Sequence, residues 1–87
     1  MNNKVLIKVD AFALGQTYDL FIPVNEVMWK VKAMVAKCVC DLEHIVFVPS
    51  DQYILMNKSD GKIYDSNEIV IDTDIRNGTE LLLLKKD

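Results

Sequence analysis

The residues best suited to chemistry lie close together in the sequence. The chain of 87 residues has one histidine and two cysteines. Cys38 and Cys40 end a long segment free of Gly and Pro, and His44 follows, with Asp41 and Glu43 between. Thiolates, an imidazole and carboxylates are the ligands of zinc and the parts of a nucleophile–base pair. The spacing argues against both uses. On a helix, residues two apart point about 200° away from each other, so Cys38 and Cys40 neither converge on an ion nor bridge one another. Cys38 is expected in the core as a small hydrophobe. Cys40 is expected on another face, with no neighbouring base in the sequence to activate it. His44 reads as a surface residue at a helix end. Asp72 and Asp74 lack the remaining ligands of a calcium loop, and Asp60-Gly61 is a turn signal. No catalytic residue, metal or cofactor is expected, and the two thiols read as free in a reducing compartment.

The gross properties narrow the function further. The chain fits one domain, spanning residues 1–87, of which about 60–65% of the unfolded surface is buried on folding. A composition 51% hydrophobic and 26% charged belongs to a folded protein. A net charge of -3 with scattered basic residues argues against nucleic acid. No signal-peptide pattern opens the chain, and no apolar run approaches the roughly 20 residues of a membrane helix. A cytoplasmic protein is expected, reaching a membrane only through a partner.

The elements that must position any site follow from periodicity. Lys4 to Asp10 and Thr17 to Ile22 read as two strands joined by a turn over Ala11 to Gln16. Pairing positions that sum to 27 sets Val5, Ile7 and Val9 against Ile22, Leu20 and Tyr18 on one face. The other face then holds Lys8 against Asp19 and Leu6 against Phe21. Pro23 ends the second strand. Asn25 is the expected cap of a helix running from Glu26 to about Asp41, with Val27, Val31, Met34, Val35, Cys38 and Leu42 as its apolar stripe. Leu42 to Ser50 reads either as a short strand or as a packed connection. Gln52 to Asn57 is a third strand, Lys62 to Asp65 a brief fourth, and Thr79 to Lys85 the last. Between these, Ser66 to Arg76 is a connection anchored by Ile69, Ile71 and Ile75. The order β-β-α-β-β-β is that of an α+β β-grasp domain, in which a mixed sheet pairs first and last strands and one long helix covers it.

This layout, the Asp60-Gly61 turn and the segment Asp74 to Leu84 resemble ubiquitin-like domains. Tyr18-Asp19-Leu20-Phe21-Ile22-Pro23 and Ile75-Arg76-Asn77-Gly78-Thr79-Glu80-Leu81 resemble stretches of the small EsaB/YukD proteins of type VII (ESX/WXG100) secretion systems. Thr79 stands where that family has Asp. The resemblance implies a non-catalytic accessory factor that assists or regulates a secretion machine through protein contacts, including contacts with its membrane components. Conjugation of a ubiquitin-like protein needs a terminal Gly-Gly, which threads as a thin tail into an enzyme channel. The sequence ends Lys85-Lys86-Asp87, so a non-conjugating role is expected.

Surplus apolar surface then points to binding. Leu6, Phe21, Leu55, Leu82 and Leu84 are expected to form a contiguous patch on the sheet face turned away from the helix. Trp29, with Ala33, Ala36 and Cys40, is expected to form a second stripe opposite the helix's core face. That stripe is either covered by Ile45 to Val48 or open to a partner or a second copy of the chain.

Overall fold

The computed structural model describes residues 3–11, 15–46 and 48–86. Strand β1, Lys4–Ala11, and strand β2, Gln16–Pro23, pair antiparallel. Their register is the expected one, Val5 facing Ile22, Ile7 facing Leu20 and Val9 facing Tyr18. On the opposite face Leu6 meets Phe21, and Lys8 meets Asp19 with Nζ 3.4 Å from the carboxylate. Pro23 occupies the last pair, opposite Lys4, on a strand at the sheet's edge, where its missing N–H breaks no ladder. Residues 12–14 of the connecting turn lie outside the described residues.

Helix α1 runs Met28–Leu42, starting two residues later than the sequence suggests. Its cap is not Asn25. Val27 precedes it in extended conformation with no side-chain cap. Instead, the chain after β3 supplies carbonyls to the first amides, Glu68 O to Met28 N at 2.8 Å and Ser66 O to Trp29 N at 3.1 Å. Those amides have no partner within the helix, so a neighbouring loop can satisfy them as well as a side chain can. Two further bonds lace the same loop to the helix approach, Val70 N to Glu26 O and Ile71 N to Val24 O.

The far end closes in a Schellman motif. Ile45 N donates to Cys40 O at 2.9 Å and His44 N to Asp41 O at 3.4 Å, with His44 in the left-handed region at φ 57°. Among the described residues the segment from Glu43 to Pro49 forms no strand; Phe47 lies outside them.

Strand β3, Tyr53–Asn57, runs antiparallel to strand β4, Glu80–Lys85, which lies parallel to β1. The sheet order is β2-β1-β4-β3, so the first and last strands form its centre. The expected strand over Lys62 to Asp65 shrinks to one bridge, Ile63 against Met56. Tyr64 ends it by turning into the core, and Asp65 then folds the chain back by accepting from Asn67 N at 2.8 Å. Gly61 and Gly78 take φ of 73° and 88° at the two expected turns, a conformation that penalises any Cβ.

The core lies between the helix and one face of the sheet: Ile7, Val9, Ile22, Leu81 and Leu83 from the strands against Val31, Val35, Ala36 and Val39 from α1. The long connection anchors through Val70 and Ile75, whereas Ile69 and Ile71 are exposed.

Candidate protein-binding surface

The outer sheet face follows from strand parity. With Val5, Ile7 and Val9 inward, Leu6 and Phe21 must face outward, and Phe21 is 64% exposed. In β4, Leu81 and Leu83 are buried, which turns the half-buried Leu82 and Leu84 outward as expected. Leu55 departs from expectation. It pairs with Leu83 and is only 4% exposed, so it belongs to the core. The outward residues of β3 are Ile54, opposite Leu84, and Met56, opposite Leu82. Ile63 extends this row from Met56 and is largely exposed.

The outer face is also not one contiguous patch. Lys8 is paired with Asp19 on one side and with Glu80 on the other. Lys58 Nζ lies 3.1 Å from Asp10 and 3.9 Å from Glu80. This charged row divides the face. On one side lie Leu6 and Phe21, bordering a depression lined by Val24, Ile71 and Gly78. On the other lie Ile54, Met56, Ile63, Leu82 and Leu84, the larger apolar area.

The helix is rotated relative to expectation. Met28, Val31, Val35, Ala36, Val39 and Cys40 are its buried side chains. Val31 and Val35 were expected there; Met34 and Leu42 are exposed instead, and Cys38 is half-buried. Trp29, Ala33, Ala36 and Cys40 therefore do not form an open stripe. Ala36 is fully buried and Cys40 is 5% exposed. Ala33 is half-buried, and Trp29, at 48% exposure, stands at the helix start beside Ile63 and Ser66. The two cysteines thus exchange their expected roles. Cys40 Sγ lies 3.3 Å from the Tyr53 hydroxyl. Burial, and next the contact with Cys40, push the Tyr53 hydroxyl above its ordinary pKa.

Around the sites, side-chain bonds hold the connections in place. Asn57 is buried, donating to the Tyr64 hydroxyl at 3.1 Å and accepting from Ser59 N at 2.9 Å. Tyr64 donates onward to Asp74 at 2.6 Å. Burial first, and then that bond to Asp74, push its pKa up to about 12. Tyr18 of β2 donates to the Glu43 carboxylate at the helix end. His44 sits in the capping turn, and among the described residues no cluster of His, Cys, Asp and Glu is placed to hold a metal ion.

Solved structures place this architecture. The N-terminal ubiquitin-like domain of the 4931431F19Rik protein superposes with a TM-score of 0.72 at 16% identity, over 100% of this chain and 79% of that one. Caldiarchaeum subterraneum ubiquitin gives 0.70 at 19% identity, over 97% and 95%. The fold is the ubiquitin-like β-grasp. A chain of the MycP5-free ESX-5 inner membrane complex contains the same ubiquitin-like fold, with a TM-score of 0.76 at 14% identity over 97% of this chain and 21% of that one. No protein-family profile and no curated protein sequence matches the chain. Within the ubiquitin-like fold described here, no helix among the described residues is long and apolar enough to cross a membrane.

Proposed function

We propose that this ubiquitin-like domain is a protein-binding accessory factor of a bacterial type VII secretion system, acting in the cytoplasm by contact rather than by catalysis. The observation that carries the reading is the ESX-5 likeness: a chain of an ESX-5 inner membrane complex matches this fold over 21% of its length. The motifs at Tyr18 to Pro23 and Ile75 to Leu81 support the same assignment. The binding surface is the outer sheet face, with Leu82, Leu84, Ile54, Met56 and Ile63 as its apolar centre and the Lys8–Asp19 and Lys58–Asp10 pairs as a polar border. An apolar centre with a charged rim is the usual anatomy of a protein interface.

Secretion of a WXG100 substrate tests this. A strain lacking the chain should lose secretion and regain it with the wild-type protein. It should not regain it with Leu82→Ser plus Leu84→Ser. Circular dichroism and a melting curve verify folding, and Ile63→Ser, at a more exposed position of the same surface, serves as the second variant. Undiminished secretion in the deletion strain sinks the assignment; full rescue by both variants sinks the surface.

A further inference from the structure

A different surface runs along strand β2, at the far side of the sheet from β3. The order β2-β1-β4-β3 gives β2 one partner, and among the described residues no strand pairs its other side. One bond shows which backbone groups face outward. Val24 N donates to Asn3 O at 2.7 Å, and this pair continues the register in which positions sum to 27. Bonded pairs alternate along an antiparallel ladder, so Ile22, Leu20 and Tyr18 turn their N–H and C=O toward β1. Lys8 N to Thr79 O and Gly78 N to Leu6 O agree, since they turn the even residues of β1 toward β4. The N–H and C=O of Thr17, Asp19 and Phe21 therefore point out of the sheet.

Edges of this kind are ordinarily shortened, charged or covered. The opposite edge is: β3 has five residues and carries the bridge from Ile63. By contrast β2 has eight residues, and its one charge, Asp19, is paired with Lys8. Apolar side chains border it on both faces. Phe21 is exposed on the outer face. On the inner face, Cys40 and Trp29 mark the helix flank over β3. Cys38 and the exposed Met34 lie about 160° and 140° round the helix from them, over β2 and its half-buried Leu20. The charges on this side are compensated: Lys30 by Glu26, Lys37 by Asp41, and Glu43 by the Tyr18 hydroxyl.

We propose that the β2 edge binds a second copy of this chain, β2 pairing antiparallel with β2 across a two-fold axis to continue the sheet. Near such an axis an uncompensated charge meets its own copy, and this edge carries none there. Lys4, opposite Pro23, stands at the end away from the axis. Setting Asp19 opposite itself would bring two carboxylates together. The register with Leu20 opposite Leu20 avoids this, placing Asp19 opposite Phe21 of the second copy. Every outward N–H then meets a carbonyl: Asp19 and Phe21 exchange bonds, and Thr17 donates to Pro23. The missing donor of Pro23 falls at the ladder's end, where it costs least. This contact leaves the apolar centre on β3 and β4 free and stands or falls independently of the secretion assignment.

Sedimentation equilibrium should show the mass doubling as concentration rises from micromolar to millimolar, with little effect of salt because the seam is neutral. Amide hydrogen exchange should show Thr17, Asp19 and Phe21 gaining protection with concentration, while Tyr18 and Leu20 are protected throughout. Phe21→Pro removes a donor the single chain does not use, and should raise the dimer's dissociation constant at least about tenfold. Leu20→Lys and Leu20→Glu should each be monomeric, like charges meeting across the axis, and their mixture should dimerise again. Circular dichroism verifies that each variant folds. A wild-type chain monomeric at millimolar concentration, a dimer indifferent to Phe21→Pro, or a folded Lys–Glu mixture that stays monomeric would each overturn the proposal. So would protection of the three amides by a foreign extended peptide in a chain that itself stays monomeric.

Discussion

The Tyr64 hydroxyl donates to the Asp74 carboxylate while accepting from the buried Asn57 amide, joining the end of β3 to the segment that leads into β4. A single oxygen thus ties two loops that share no strand pairing. Tyr64→Phe leaves the Asn57 amide short of a partner in a buried site and should cost about 1–3 kcal/mol. The pH dependence follows from the raised pKa. With the folded value about 12 and the unfolded value near 10, the folded protein holds the proton that the unfolded chain gives up. This contribution is full below pH 10 and is lost as pH rises through 12. Urea titrations at neutral and alkaline pH should show the deficit of Tyr64→Phe shrinking across that window; a constant deficit would contradict it.

His44 occupies the left-handed position of the Schellman motif, where most helices that end this way carry glycine. A side chain there costs about 1 kcal/mol. His44→Gly should raise stability by up to about 1 kcal/mol, some of the gain being returned as greater unfolded-chain freedom. The urea midpoint should rise with an unchanged slope.

The two thiols should differ in reactivity because one is half-buried and the other sits in the core. A disulfide reagent such as dithionitrobenzoate should modify Cys38 quickly and Cys40 at the rate of local opening. Cys38→Ser should abolish the fast phase. Two equal phases in the native protein would contradict the placement.

Much of the fold was legible because its strongest signals are local. The hairpin register is set by alternation on both strands and by the Lys8–Asp19 pair, and all eight of its pairings follow from that one sum. The turn glycines are equally local. What the sequence did not reveal depends on distant partners. In β3, Tyr53 to Met56 is apolar throughout, so the strand has no period of two. Asn57 shares Leu55's face of the strand, and a polar residue ordinarily marks an outward face. Asn57 is instead buried, because Tyr64 and Ser59 meet its polar atoms. Likewise the apolar arc of α1 is broader than the sheet can cover. The helix buries the half that carries Ala36 and Val39 and leaves Met34 and Leu42 outside. The helix starts two residues past Glu26, without an Asn25 cap, for the same reason: its caps are backbone carbonyls about forty residues further along the chain.

The parallel pairing of β1 with β4 has a consequence for how the molecule comes into being. The Leu6 amide is bonded to a side chain 71 positions away, and the two middle strands of the sheet are the ones made first and last. During synthesis the hairpin can form early, but one edge of β1 stays unpaired until β4 has left the ribosome, and the core cannot close without it. Folding is thus coupled to completion of the strand Glu80–Lys85, and a nascent chain halted before it exposes the sheet's interior edge.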